Sequence, residues 1–223
     1  MKKIVALCLP LIFLMPNTGC MKQNKKVIFF GDSITQLGVN PGGYIDVMNK
    51  QLEVKNESKD FELIGSGISG NKVYDLYLRL EEDVLAKNPD IVVIWVGVND
   101  VWHKTTLGTG TDADKFEIFY IAVIKKLQAK GIKVILTTPA AIGEKNDNTN
   151  PQDDELNLYA DIIRNLAAQY KCGLCDLRKI VLAYETTNNK ENLLTGVLTN
   201  DGVHLNAKGN ELVAVSMLEV LDK

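Results

Sequence analysis

The chain has 223 residues, 46% of them hydrophobic and 24% charged, the balance of one globular domain large enough to stand without disulfide staples. Residues 1–19 read as a removable leader that holds two lysines and no acid, which leaves 23 basic and 28 acidic side chains and a charge of −5. That balance excludes nucleic acid or an anionic membrane face as the main partner, because both call for a basic surface.

The leader begins with Lys2 and Lys3 and continues through the apolar run Ile4–Met15 to Pro16-Asn17-Thr18-Gly19-Cys20. A basic start, a greasy segment and a small-residue exit are the pattern of a secretory signal. The run of 12 residues is too short to cross a hydrocarbon core, which takes about 20. Thr18-Gly19-Cys20 resembles a bacterial lipobox, in which Cys20 becomes the lipidated first residue. The leucine usual three positions before that cysteine is Asn17 here. The implied location is the bacterial cell envelope, on the periplasmic or cell-surface side of a membrane. The alternative is ordinary cleavage and release. Met21–Lys26 reads as a polar tether, so the chain divides into a leader (1–19), a tether (20–26) and a folded domain (27–223).

From there strand and helix signals alternate. Val27–Phe30 is a short β-branched and aromatic strand, and Tyr44–Leu52 a helix with Ile45, Met48 and Leu52 on one face. Phe61–Ile64 reads as a second strand ending in the turn Gly65–Gly70, and Val73–Ala86 as a helix broken by Asn88-Pro89. Ile91–Val96 is continuous and apolar, which predicts a central strand. A helix over Asp114–Lys130, a strand over Ile132–Thr137, a helix over Asp153–Tyr170, a short strand over Cys175–Leu177 and a helix over Asn206–Leu221 complete the series. The expected fold class is α/β: a five-stranded parallel, flavodoxin-like sheet, doubly wound into three layers. Ligands of such sheets bind beyond the carboxyl ends of the strands. Three long polar loops, Lys104–Thr111, Ala140–Pro151 and Thr186–Asn200, are candidates for substrate contact or plain connections. Cys172 and Cys175 read as small buried residues or a local disulfide, because no second pair completes a zinc site.

The residues that follow the strands carry the chemistry. Gly31-Asp32-Ser33 puts a serine on a sharp turn into a helix, where its own N–H favours a developing negative charge; Ser33 could equally cap that helix. Gly70 lets the backbone approach a ligand and aim an N–H at it, or simply closes a turn. Asn99, in Gly97-Val98-Asn99-Asp100, offers a neutral amide donor, or a turn residue bonded to its own backbone. Asp201-Gly202-Val203-His204 precedes the last helix. His204 is one of only two histidines and the natural proton shuttle; Asp201 could hold one ring nitrogen and leave the other for Ser33. His103 could reach the site mouth but has no acid partner on its own turn. Trp102 and Tyr44 are candidates for stacking on a sugar ring or for partial burial, and Asp32 for substrate contact or, like Asp100, for orienting a turn.

Together these blocks resemble the SGNH/GDSL hydrolase family, over nearly the whole span from Val27 to Leu221. The resemblance implies a carboxylic ester hydrolase with Ser33 as nucleophile, Gly70 and Asn99 as oxyanion donors beside the Ser33 N–H, and Asp201 and His204 as acid and base. It calls for no metal or cofactor. Serine with histidine as base acts through an acyl-enzyme. No Gly-x-Ser-x-Gly surrounds any serine, which disfavours an ordinary α/β-hydrolase elbow. The family acts on lipids, thioesters, aryl esters and acetylated sugars. The polar loops lack the apolar trough that a long acyl chain needs, so the expected substrate is a short, acetyl-type ester on a polar alcohol such as a carbohydrate. A lysophospholipase, thioesterase or aryl esterase, an acyl transferase, and a glycan-binding lipoprotein without turnover are the alternatives. Nothing in the sequence fixes an oligomeric state.

Overall fold

A computed structural model of the chain describes residues 24–147 and 149–221; the leader, Cys20 and the first part of the tether lie outside the described residues. Five strands form one sheet: β1 (Lys25–Gly31), β2 (Phe61–Gly67), β3 (Ile91–Trp95), β4 (Lys133–Thr137) and β5 (Gly173–Cys175). Their order is β2-β1-β3-β4-β5 and every pairing is parallel, the flavodoxin-like arrangement anticipated from the sequence. All five residues of β3 are buried and it lies at the centre of the sheet. A strand covered on both faces has no polar side to show.

Eight helices cover the sheet: α1 (Ser33–Gly38), α2 (Tyr44–Val54), α3 (Val73–Asp83), α4 (Val98–Thr106), α5 (Ala113–Gln128), α6 (Asp153–Tyr170), α7 (Leu177–Asn188) and α8 (Ala207–Leu221). Helix α2 packs on α8, while α3 packs on α5 and α5 on α6, so crossovers occupy both faces. Among the described residues no helix is long and apolar enough to cross a membrane.

Four expectations are corrected. The fifth strand is Gly173–Cys175, not Cys175–Leu177. Asp176 caps α7 by accepting the Lys179 N–H, and Leu177 is already the first helical residue. The segments 98–106 and 177–188 are helices, so only parts of the 104–111 and 186–200 stretches are loop. Residues 140–144 are buried, which makes the start of that loop framework rather than solvated connection. Cys172 and Cys175 are both free thiols, so the local disulfide does not form.

Tyr44 follows its buried reading, and the sugar-stacking role is corrected. Its ring is fully buried, edge-on to Phe29 at 5.7 Å and to Trp95 at 5.5 Å, and its hydroxyl donates to Thr35 Oγ1 at 3.1 Å. It is a core residue and touches no substrate, because an amphipathic ring at the start of α2 finds its polar partner inside.

Candidate active site

The parallel register sets Gly31, Gly67 and Trp95 side by side at the carboxyl ends of β1, β2 and β3. Ser33, Gly70 and Asn99 therefore leave three adjacent strands at the same end of the sheet. At β1 the chain must turn hard. A Cβ on Gly31 would lie 2.4 Å from Thr35 Oγ1 and 2.5 Å from the Trp95 carbonyl oxygen, so only glycine fits. Asp32 then caps α1, accepting the Ile34 N–H at 3.0 Å. Ser33 is the first residue of α1, and its N–H is one of the donors that a helix start leaves without an intrahelical partner.

Asp32 is 2% exposed, so the expected substrate contact is corrected and the turn-orienting reading holds. Burial pushes its carboxyl up to about 7, with the nearby Asp100 charge adding to this and the Ile34 N–H opposing it. Asp100 is itself buried and raised to about 6, chiefly by desolvation. Its Oδ1 accepts the Val73 N–H at 3.2 Å, which ties the start of α4 to the start of α3.

Three residues past β2, Gly70 sits at φ +78°, a conformation that favours glycine. Asn99, second in α4 and 2% exposed, donates one amide hydrogen to the Asn71 carbonyl at 3.1 Å. Its second amide hydrogen remains for another acceptor. Arg79 supports both turns from α3. Its guanidinium donates to the Gly31 carbonyl at 2.7 Å, to the Ser66 carbonyl at 3.1 Å and to Asn71 Oδ1 at 2.7 Å, and lies 4.4 Å over the Phe30 ring. Sequence reasoning missed Arg79. Its spacing with Asp83 reads as an ordinary i,i+4 surface pair, and no local signal reveals carbonyl partners on other strands.

From the far end of the chain, His204 Nε2 comes to 2.9 Å from Ser33 Oγ, and His204 Nδ1 to 2.7 Å from Asp201 Oδ2. An ionised carboxylate only accepts, so the Nδ1 proton points at Asp201 and the Nε2 lone pair at the serine hydroxyl. The other Asp201 oxygen accepts the Val203 and His204 N–H groups at 3.0 and 2.8 Å. Burial alone would raise the Asp201 carboxyl. The hydrogen bonds from the His204 ring and from these two N–H groups outweigh it and hold the group below the usual carboxylate range. The arrangement can lift a proton from a hydroxyl and keep the resulting imidazolium paired.

Trp102 and His103 border this chain of groups. The Trp102 ring stands edge-on to His204 with centroids 6.2 Å apart. His103 lies beside Gly70, where an added Cβ would sit 3.9 Å from its Cε1. Burial and the charge of Lys72 lower the pKa of His103, and its Nδ1 has no hydrogen-bond partner among the described residues. An imidazole without an acid to orient it is poorly placed to act as a base.

The GDSL-like Lipase/Acylhydrolase family model matches residues 29–212, and the chain belongs to that family. The crystal structure of an acetyl xylan esterase, AlAXEase, superposes with a TM-score of 0.86 at 62% identity, covering 87% of this chain and 98% of that one. An acetylxylan esterase of Geobacillus stearothermophilus is 28% identical over 213 residues, 88% of this chain and 93% of that protein. An uncharacterized lipoprotein of Bacillus subtilis strain 168, YqeF, is 27% identical over 225 residues, 91% of this chain and 92% of that protein. The chain is thus a carboxylic ester hydrolase of the GDSL type.

Proposed function

We propose that the protein is an exported, lipid-anchored acetyl esterase that removes acetyl groups from a carbohydrate such as xylan, with Ser33 as nucleophile, His204 as general base and Asp201 as its orienting acid. The observation that carries this reading is the unbroken chain Ser33–His204–Asp201, with links of 2.9 and 2.7 Å. His204 Nε2 takes the hydroxyl proton as Ser33 Oγ bonds to the acetyl carbon. The carbonyl oxygen gains the charge and is met by the N–H groups of Ser33 and Gly70 and the free amide hydrogen of Asn99. Collapse breaks the bond to the sugar oxygen, which leaves with the proton from His204. Water then repeats the sequence on the acetyl-enzyme and frees acetate.

Two things support the acetyl and carbohydrate parts of this reading. Two relatives bear the name acetylxylan esterase, and the Trp102 ring stands beside His204. The Thr18-Gly19-Cys20 motif and the lipoprotein name of YqeF support the lipid anchor. The decisive experiment measures acetate released from acetylated xylan by the purified protein, beside a chain-length series of nitrophenyl esters. Release of acetate with a preference for acetate esters is expected, and Ser33→Ala should abolish both. A preference for octanoate, or full activity in Ser33→Ala, would overturn the reading.

A further inference from the structure

The residues that present Asp201 and His204 are held by a carboxylate on another loop. Glu144 is fully buried, and no ion pair to it occurs among the described residues. Instead its Oε1 accepts the Leu198 N–H at 2.5 Å and the Thr199 N–H at 2.8 Å, and its Oε2 accepts the Val197 N–H at 2.8 Å. A buried carboxylate is costly unless hydrogen-bonded, and consecutive backbone N–H groups turned onto one anion meet that need. The backbone around it makes the same join. Gly143 donates to the Gly202 carbonyl and Glu144 to the Leu194 carbonyl, each at 2.9 Å, while Asn189 Nδ2 donates to the Glu144 carbonyl at 2.7 Å.

The gripped segment is the base of a small closed loop. Thr199 bridges to Leu205, Asn200 donates to the His204 carbonyl at 2.8 Å, and Thr199 Oγ1 accepts the Gly202 N–H at 2.9 Å. Asp201 and His204 stand on the tip of that loop, with Asp201 itself exposed. We infer that Glu144 is a positioning residue for the acid–base pair: through the N–H groups of residues 197–199 it fixes the loop that aims His204 at Ser33. The inference rests on the roles proposed for Ser33 and His204. It also gives the 140–151 segment a task other than substrate contact.

Glu144→Gln keeps the shape but replaces one acceptor with an amide donor that faces backbone donors. Nitrophenyl acetate kinetics and covalent titration of Ser33 with a fluorophosphonate are read together on the same preparation. The expected outcome is about one titratable serine per chain, with kcat lower by roughly 10- to 100-fold and KM within about threefold, as a displaced base requires. An unchanged kcat would overturn the inference. So would fewer titratable serines with a wild-type kcat per titrated site, the mark of partial unfolding alone. Ser33→Ala, run in parallel, isolates the underlying reading: if it retains activity, the roles of Ser33 and His204 fail first. Should Glu144→Gln not fold, hydrogen exchange on the wild-type protein decides. The amides of Val197, Leu198 and Thr199 should exchange together and slowly despite lying in a loop, and exchange at exposed-loop rates would end the proposal.

Discussion

Asp201 divides its two oxygens between different tasks, one for the His204 ring and one for the backbone N–H groups of Val203 and His204. Asp201→Asn can keep the backbone contacts through its carbonyl oxygen, but it offers the ring a donor or a neutral acceptor in place of a carboxylate. The expected result is a folded protein with kcat lower by roughly 10⁴-fold, checked by steady-state kinetics beside circular dichroism. Asn99 tests a different part of the same site. Asn99→Ala should lower kcat by about 10²- to 10³-fold, the usual cost of one oxyanion donor, and a variant within threefold of wild type would remove Asn99 from that role. These residues were legible because each group of them is local: Asp201 and His204 share one turn, and Gly31-Asp32-Ser33 closes one strand. Arg79 and Glu144 were not legible, since what they hold is backbone on distant segments and carries no residue identity.

Among the elements, legibility followed the purity of the pattern. Ile91–Trp95 is buried without interruption, and its sequence is apolar throughout. Helix α7 is the reverse case. Its buried positions are Leu177, Arg178, Val181 and Glu185, so two charged residues sit where an amphipathic stripe calls for apolar ones. Arg178 is accommodated by Asp153, the Ala140 carbonyl and Asn157, partners that only the folded chain supplies. Helix α4 was hidden for a related reason, as Asn99 and Asp100 occupy its buried first turn. At this scale Arg79 is the joint between α3 and the ends of β1 and β2. Arg79→Lys replaces a planar fork with a single ammonium, which cannot reach Gly31, Ser66 and Asn71 at once. It should lower kcat by about tenfold or more while leaving the fold intact, measured by kinetics and thermal melts, because a shift of Ser33 or Gly70 by a fraction of an ångström is enough.

The molecule buries several carboxyl groups whose desolvation outweighs the positive charges near them. Burial raises Asp32 to about 7 and Asp100 to about 6, and burial together with the charge of Glu144 raises Glu185 to about 8. In the unfolded chain the same groups ionise near 4. Between these values the folded form keeps protons that the unfolded form has released, so stability falls as pH rises from about 4 through 8. Melting temperature should therefore be highest in mild acid and decline toward pH 9. Glu185 isolates the effect, because neither of its oxygens has a hydrogen-bond partner among the described residues. Glu185→Gln should melt with the wild type near pH 5 and about 5 °C or more above it at pH 9, whereas parallel curves at every pH would show that Glu185 does not ionise within that range.

Because all five strands run the same way, the chain enters the sheet at one pole and Ser33 emerges at the other. The seven residues of β1 separate the two by roughly 20 Å. The end of β1 that leads back toward Cys20 is thus the end far from the reactive serine. Under the anchor and substrate proposed above, a carbohydrate polymer would meet Ser33 at the pole away from the one where the chain enters the sheet.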